Sequence, residues 1–125
     1  MNLQNTNLPK DSKYNLEERT ARFAERVIDL MRLISKNEIN SRMITQIVAS
    51  AGSIGANYSE ANEAESKQDF MHKISICKKE TKETQHWIRL LAYANEQFKE
   101  EFKTLWKEAH ELLLIFSAIR NSKKV

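Results

Sequence analysis

Four stretches of this chain place apolar or small residues at alternating steps of four and three. They are Leu16, Thr20, Phe23, Val27, Leu30 and Ile34; Ile44, Val48, Ala51, Gly55 and Tyr58; Phe70, Ile74, Cys77, Thr81, Thr84, Ile88 and Leu91; and Phe98, Phe102, Leu105, Ala109, Leu112, Phe116 and Ile119. That spacing keeps one side of an α-helix turned towards its neighbours over several turns, whereas a strand would need alternation at every second residue. Four such segments joined by short connections predict an all-α fold, an antiparallel up-and-down four-helix bundle with left-handed heptad packing. The chain has two glycines and one proline in 125 residues. A sheet protein of that length needs many more turn residues.

The breaks between the stripes fit the same plan. Lys36-Asn37-Glu38 separates the first two segments, and Asn40 or Ser41 is expected to cap the second helix. Ser66 with Asp69 three residues later resembles a capping box opening the third, and Asn95 marks the turn into the fourth. The expected organisation is a flexible arm over residues 1–15, the bundle over 16–120 and a basic tail over 121–125. No apolar run approaches the roughly 18–20 residues of a membrane helix, so no membrane partner is expected. The N-terminal stretch shows no hydrophobic signal region, and a cytoplasmic location is expected. Cys77 is the single cysteine. It excludes an internal disulfide, and its stripe position reads as a small buried apolar residue.

The second segment differs from the others. Between Met43 and Ser59 it has no charged residue, whereas an ordinary bundle helix has a charged, wet face. Ile44, Ile47, Val48, Ala51, Ile54 and Tyr58 supply its core side. Thr45, Ala49, Gly52 and Ala56 form a line of small residues where another backbone can approach closely. Gln46, Ser50, Ser53, Asn57 and Glu60 form a polar line. Glycine inside a helix costs about 1 kcal/mol relative to alanine, which makes sense where something packs tightly. The expected oligomer interface is therefore Thr45, Ala49, Gly52, Ser53, Ala56, Asn57 and Glu60, with hydrogen bonds across the contact satisfying the polar members.

The net charge of +3 is concentrated in Arg120, Lys123 and Lys124, leaving the body close to neutral. Those three residues, with Arg19, Arg22 and Arg26 along one face of the first helix, form the alternative functional surface, a contact with RNA or DNA phosphates. Glu25 and Asp29 lie close to those arginines, and a salt-bridged solvated face is the competing reading.

Chemistry-bearing patterns are few. Glu83-Thr84-Gln85-His86 has the Glu-x-x-His form of di-iron bundles, but in one copy and on the outward side of its helix, so no metal is expected. Glu80 flanks its stripe, where it pairs either with Arg42 and the polar line or with Lys73 or Lys79. Trp87 and Trp106 are expected at the core edge. No phosphate-binding glycine loop, Ser-His-Asp arrangement or HExxH motif is present. The expectation is a protein that is not an enzyme and needs no cofactor.

The stretch from Arg42 and Gln46 through Ser50-Ala51-Gly52-Ser53-Ile54-Gly55-Ala56-Asn57-Tyr58-Ser59-Glu60-Ala61 resembles the signature helix of the 23S ribosomal RNA intervening-sequence proteins. So does the run containing Phe70, Ile74, Lys79-Glu80, Glu83-Thr84, Trp87-Ile88 and Leu91. The family pattern after the asparagine is Ile-Ala-Glu-Gly, where this chain has Tyr58-Ser59-Glu60-Ala61. The resemblance implies an up-and-down bundle assembled as a homopentamer, with no known reaction. It also implies structural or shared-surface roles for Ser53, Asn57, Glu60, Glu80 and Glu83. A related family, the accessory variability determinants of diversity-generating retroelements, consists of basic pentameric bundles that bind nucleic acid and a reverse transcriptase.

Overall fold

A computed structural model describes residues 15–122; the proposed arm and the cations Lys123 and Lys124 lie outside the described residues, apart from Asn15. The described chain is all-α, with α1 Leu16–Met31, α2 Glu38–Asn62, α3 Lys67–Ala94, a 3-10 turn Glu96–Phe98 and α4 Lys99–Ser122. Each helix packs on its sequence neighbour, and α1 closes the bundle against α4. The α2–α3 contact is the most extensive and α1–α4 the slightest. An open cleft of about 320 Å³ lies between α1 and α4, beside Leu30, Leu33, Thr104 and Leu105.

Side chains define the helix ends. The Asn15 carboxamide accepts from Glu18 N, and Ser66 Oγ accepts from Asp69 N, each satisfying an amide that has no partner within its helix. The cap of α2 is Asn37, whose Oδ1 accepts from Asn40 N at 2.7 Å. This corrects the expected cap at Asn40 or Ser41. Asn40 is instead buried and donates to Ser35 O and Asn95 Oδ1. Just past α1, Lys36 Nζ donates to Met31 O and Ile34 O, and Met31 O also accepts from Ile34 N at 3.3 Å. Ile34 lies beyond α1 yet is buried.

The stripes of α1, α3 and α4 form the core. Phe23, Val27, Ile74, Cys77, Leu91, Ala109, Leu112 and Phe116 are fully enclosed. Three threonines occupy core positions because their hydroxyls bond back to the helix: Thr20 to Leu16 O, Thr81 to Cys77 O and Thr84 to Glu80 O. This keeps a polar atom satisfied inside an apolar interior.

On α2 the expected stripe is out of phase. Ile47, Ala51, Ile54 and Ala61 are buried, whereas Val48 is 37% exposed and Ile44 and Gly55 are only half-buried. Apolar residues surround this helix, so the four-three pattern fits more than one rotation. Gly55 does have a packing role. A Cβ added there would lie 2.9 Å from Thr20 Oγ1 and 3.3 Å from Thr20 Cβ, so glycine is what lets α1 and α2 approach at this point.

Candidate self-association surface

The outward side of α2 follows from its sequence. With Ile47, Ile54 and Ala61 turned inwards, Thr45, Ala49, Gly52 and Ala56 come to the surface, and all four are exposed. No atom lies within 4 Å of the position a Cβ would take on Gly52. The two glycines of one helix thus differ: Gly55 meets α1, and Gly52 faces open space. Val48 extends the same neutral surface.

The polar line is satisfied mostly inside the chain. Ser50 is buried, with Oγ 2.8 Å from Thr84 Oγ1, a hydroxyl–hydroxyl hydrogen bond between α2 and α3 that removes Ser50 from any surface. Asn57 is half-buried and donates to Ser53 O on its own helix. Glu60 is exposed and accepts from Lys73 Nζ at 2.7 Å; this contact holds the Lys73 ammonium above its ordinary range. The neutral small-residue line, by contrast, lies on the outer side of α2, away from the core.

The α1 arginines have divided fates. Arg19 Nε and Nη2 donate to the two carboxylate oxygens of Glu108 at 2.7 and 3.0 Å, with both side chains largely buried between α1 and α4. Arg22 lies 3.6 Å from Glu18 on its own helix. Arg26 is exposed at the rim of the α1–α4 cleft. Arg120 is half-buried near the end of α4.

Cys77 is enclosed, with Sγ 3.6 Å from Ile54 O, and burial pushes its thiol up to about 12. Glu83 accepts from Trp87 Nε1 at 3.3 Å, and His86 packs edge-on against the Trp87 ring. Among the described residues, no three His, Cys, Asp or Glu side chains converge as metal ligands. Trp106 departs from the expected core-edge position. It is 41% exposed and stacks on His110.

The sequence model for the 23S rRNA-intervening sequence protein matches residues 12–118. The chain belongs to this family. A crystal structure of a Bacteroides thetaiotaomicron protein of unknown function from the S23 ribosomal protein family is similar, with a TM-score of 0.73 and 30% identity. The similarity covers 83% of this chain and 96% of that one. No curated protein matches the chain.

Two further features of this intervening-sequence protein lie on α3. Glu80 is half-buried, and burial followed by the nearby Glu83 charge raises its carboxyl above the usual range, while Lys79 opposes the shift. Neither Arg42 nor Lys73 forms an ion pair with Glu80 among the described residues. The second feature is the outer face of α3, which presents Lys79, Lys82, His86 and Arg89 to solvent. Charge counted by segment hides that face, because Glu63 and Glu65 before the helix offset much of the excess of Lys and Arg within it. Charge projected around the helix at 100° per residue reveals it. Among the described residues, no helix is long and apolar enough to cross a membrane.

Proposed function

We propose that this chain is a non-enzymatic, homo-oligomeric scaffold of the cytoplasm that assembles through α2, and that the pentamer implied by its family resemblance is its size. The supporting observation is the exposed line Thr45, Ala49, Gly52 and Ala56 within a run that lacks charge from Met43 to Ser59. A surface helix kept only for solubility would have lysine and glutamate there. Small side chains let a second backbone approach closely, and an absence of charge spares that contact the cost of desolvating ions. The raised, enclosed Cys77 thiol supports the non-enzymatic reading, since the thiolate is the nucleophile and this site disfavours it.

Native mass spectrometry and light scattering test the assembly. The expected species is a closed oligomer near physiological salt. Gly52→Leu and Ala56→Leu should shift it towards monomer while far-ultraviolet circular dichroism stays helical. A wild-type monomer at high protein concentration would overturn the reading.

A further inference from the structure

The outer face of α3 is organised differently from the rest of the surface. Lys79, Lys82, His86 and Arg89 fall within about 80° of arc on the helical wheel, all exposed, and the half-buried Lys78 borders them. Among the described residues, Lys78, Lys79, Lys82 and Arg89 have no ion-pair partner. Ser75, Lys78, Lys79 and Lys82 line a hollow of about 410 Å³. The acids of this helix sit elsewhere. Asp69 lies in its first turn, and Glu80 and Glu83 lie on the flank beyond the ribbon, with Glu83 engaged by Trp87.

The ribbon leads towards an aromatic residue. Tyr93 lies one turn beyond Arg89 on the same side of α3 and is 90% exposed. Its ring borders a second hollow of about 420 Å³ at the end of the bundle, where Asn37 and Gln97 supply exposed amides. From Lys78 to Tyr93 the surface runs about 22 Å at 1.5 Å per residue.

We propose that the outer face of α3, from Lys78 through Arg89 to Tyr93, docks single-stranded nucleic acid, with the cations following the phosphates and Tyr93 stacking a base at the amide-lined hollow. A row of cations ending in an exposed aromatic ring is how proteins hold single strands with little sequence preference. A duplex keeps its bases stacked inside and has no use for Tyr93 or the hollow. A lipid surface fits less well. The apolar face of α3 is committed to the bundle core and has nothing to insert between headgroups. The proposal stands apart from assembly through α2, since each chain has its own complete ribbon.

Fluorescence anisotropy on the full-length protein tests this. The probes are fluorescein-labelled mixed-sequence RNA and DNA single strands, a duplex of the same sequence, and phosphatidylserine vesicles. The expected result is binding of a single strand, RNA or DNA, with log affinity falling against log salt at a slope of about −3 for four phosphate contacts. The double variant Lys79→Gln/Lys82→Gln should lose at least tenfold in affinity and make that slope shallower by about 1.4. Tyr93→Ala should weaken binding about tenfold with the slope unchanged. No binding of either strand at low salt overturns the proposal. So does a lysine variant that binds like wild type, a duplex bound more tightly than the strand, or a lysine dependence seen only with vesicles. Circular dichroism and native mass are recorded for every variant, so loss of fold or assembly is read separately from loss of binding.

Discussion

Asn40 and Asn95, 55 residues apart in the chain, exchange two amide hydrogen bonds at 3.0 and 2.9 Å inside the bundle. Asn95 Nδ2 also donates to Leu91 O, and Asn40 Nδ2 to Ser35 O. One buried pair thus joins the α1–α2 connection, the start of α2 and the end of α3. Removing either partner leaves the other amide buried with lost bonds. Asn40→Ala or Asn95→Ala should each cost about 2 kcal/mol in urea unfolding. The double variant should cost less than the sum, because its second deletion removes a group already unpaired.

The paired glycines of α2 make a sharper comparison. Gly52→Ala meets nothing and should stabilise an isolated chain by about 1 kcal/mol through helix propensity. Gly55→Ala gains the same propensity but pushes a methyl group against Thr20, which is buried and held by its bond to Leu16 O. Crowding of that kind costs about 1–3 kcal/mol, so the net effect should be neutral to destabilising by about 2 kcal/mol. Thermal unfolding of the two variants side by side checks the order.

These cases show where the amino-acid pattern was readable. On α1, α3 and α4 polar residues flank the stripes, so one rotation of each helix is favoured and Phe23, Cys77 and Phe116 fall where the spacing places them. On α2 the neutral run removes that contrast. The spacing puts Val48 inside, yet it emerges, while Ser50 of the polar line bonds Thr84 within the chain. The cap at Asn37 was missed because Asn37, Asn40 and Ser41 are all good capping residues; the Asn40–Asn95 pair, a contact across 55 residues, decides among them. The small-residue line at Thr45, Ala49, Gly52 and Ala56 was legible because each exposed position follows from helical spacing alone.

Arg19 and Glu108 close the α1–α4 contact, slighter than those of α1 with α2, α2 with α3 and α3 with α4. The guanidinium makes two short bonds to one carboxylate, and the two side chains are only 14% and 18% exposed. Glu108→Gln keeps the shape but weakens both bonds, and Arg19→Met strands a carboxylate in a partly dry site. Arg19→Met should cost about 1.5–3 kcal/mol and Glu108→Gln less. Hydrogen exchange should show faster opening of α1 amides than of α3 amides in both variants.

Cys77 links burial to alkaline stability. Its thiol has an ordinary value of 9.0 and is pushed up to about 12 by burial in the folded chain. Below pH 9 both folded and unfolded states hold the proton, and stability from this group is constant. Between pH 9 and about 12 the unfolded thiol ionises and the folded one does not, so the unfolded state binds fewer protons and stability falls as pH rises. Tyr58, raised from 10.0 mainly by burial, adds to the same decline. Urea midpoints measured at intervals above pH 9 should therefore fall more steeply for wild type than for Cys77→Ala, although the variant starts lower because it loses buried volume. At pH 8 the native thiol should react with an aromatic disulfide reagent only as fast as the bundle opens, and equal rates for native and urea-unfolded protein would show that the thiol is not enclosed between α2 and α3.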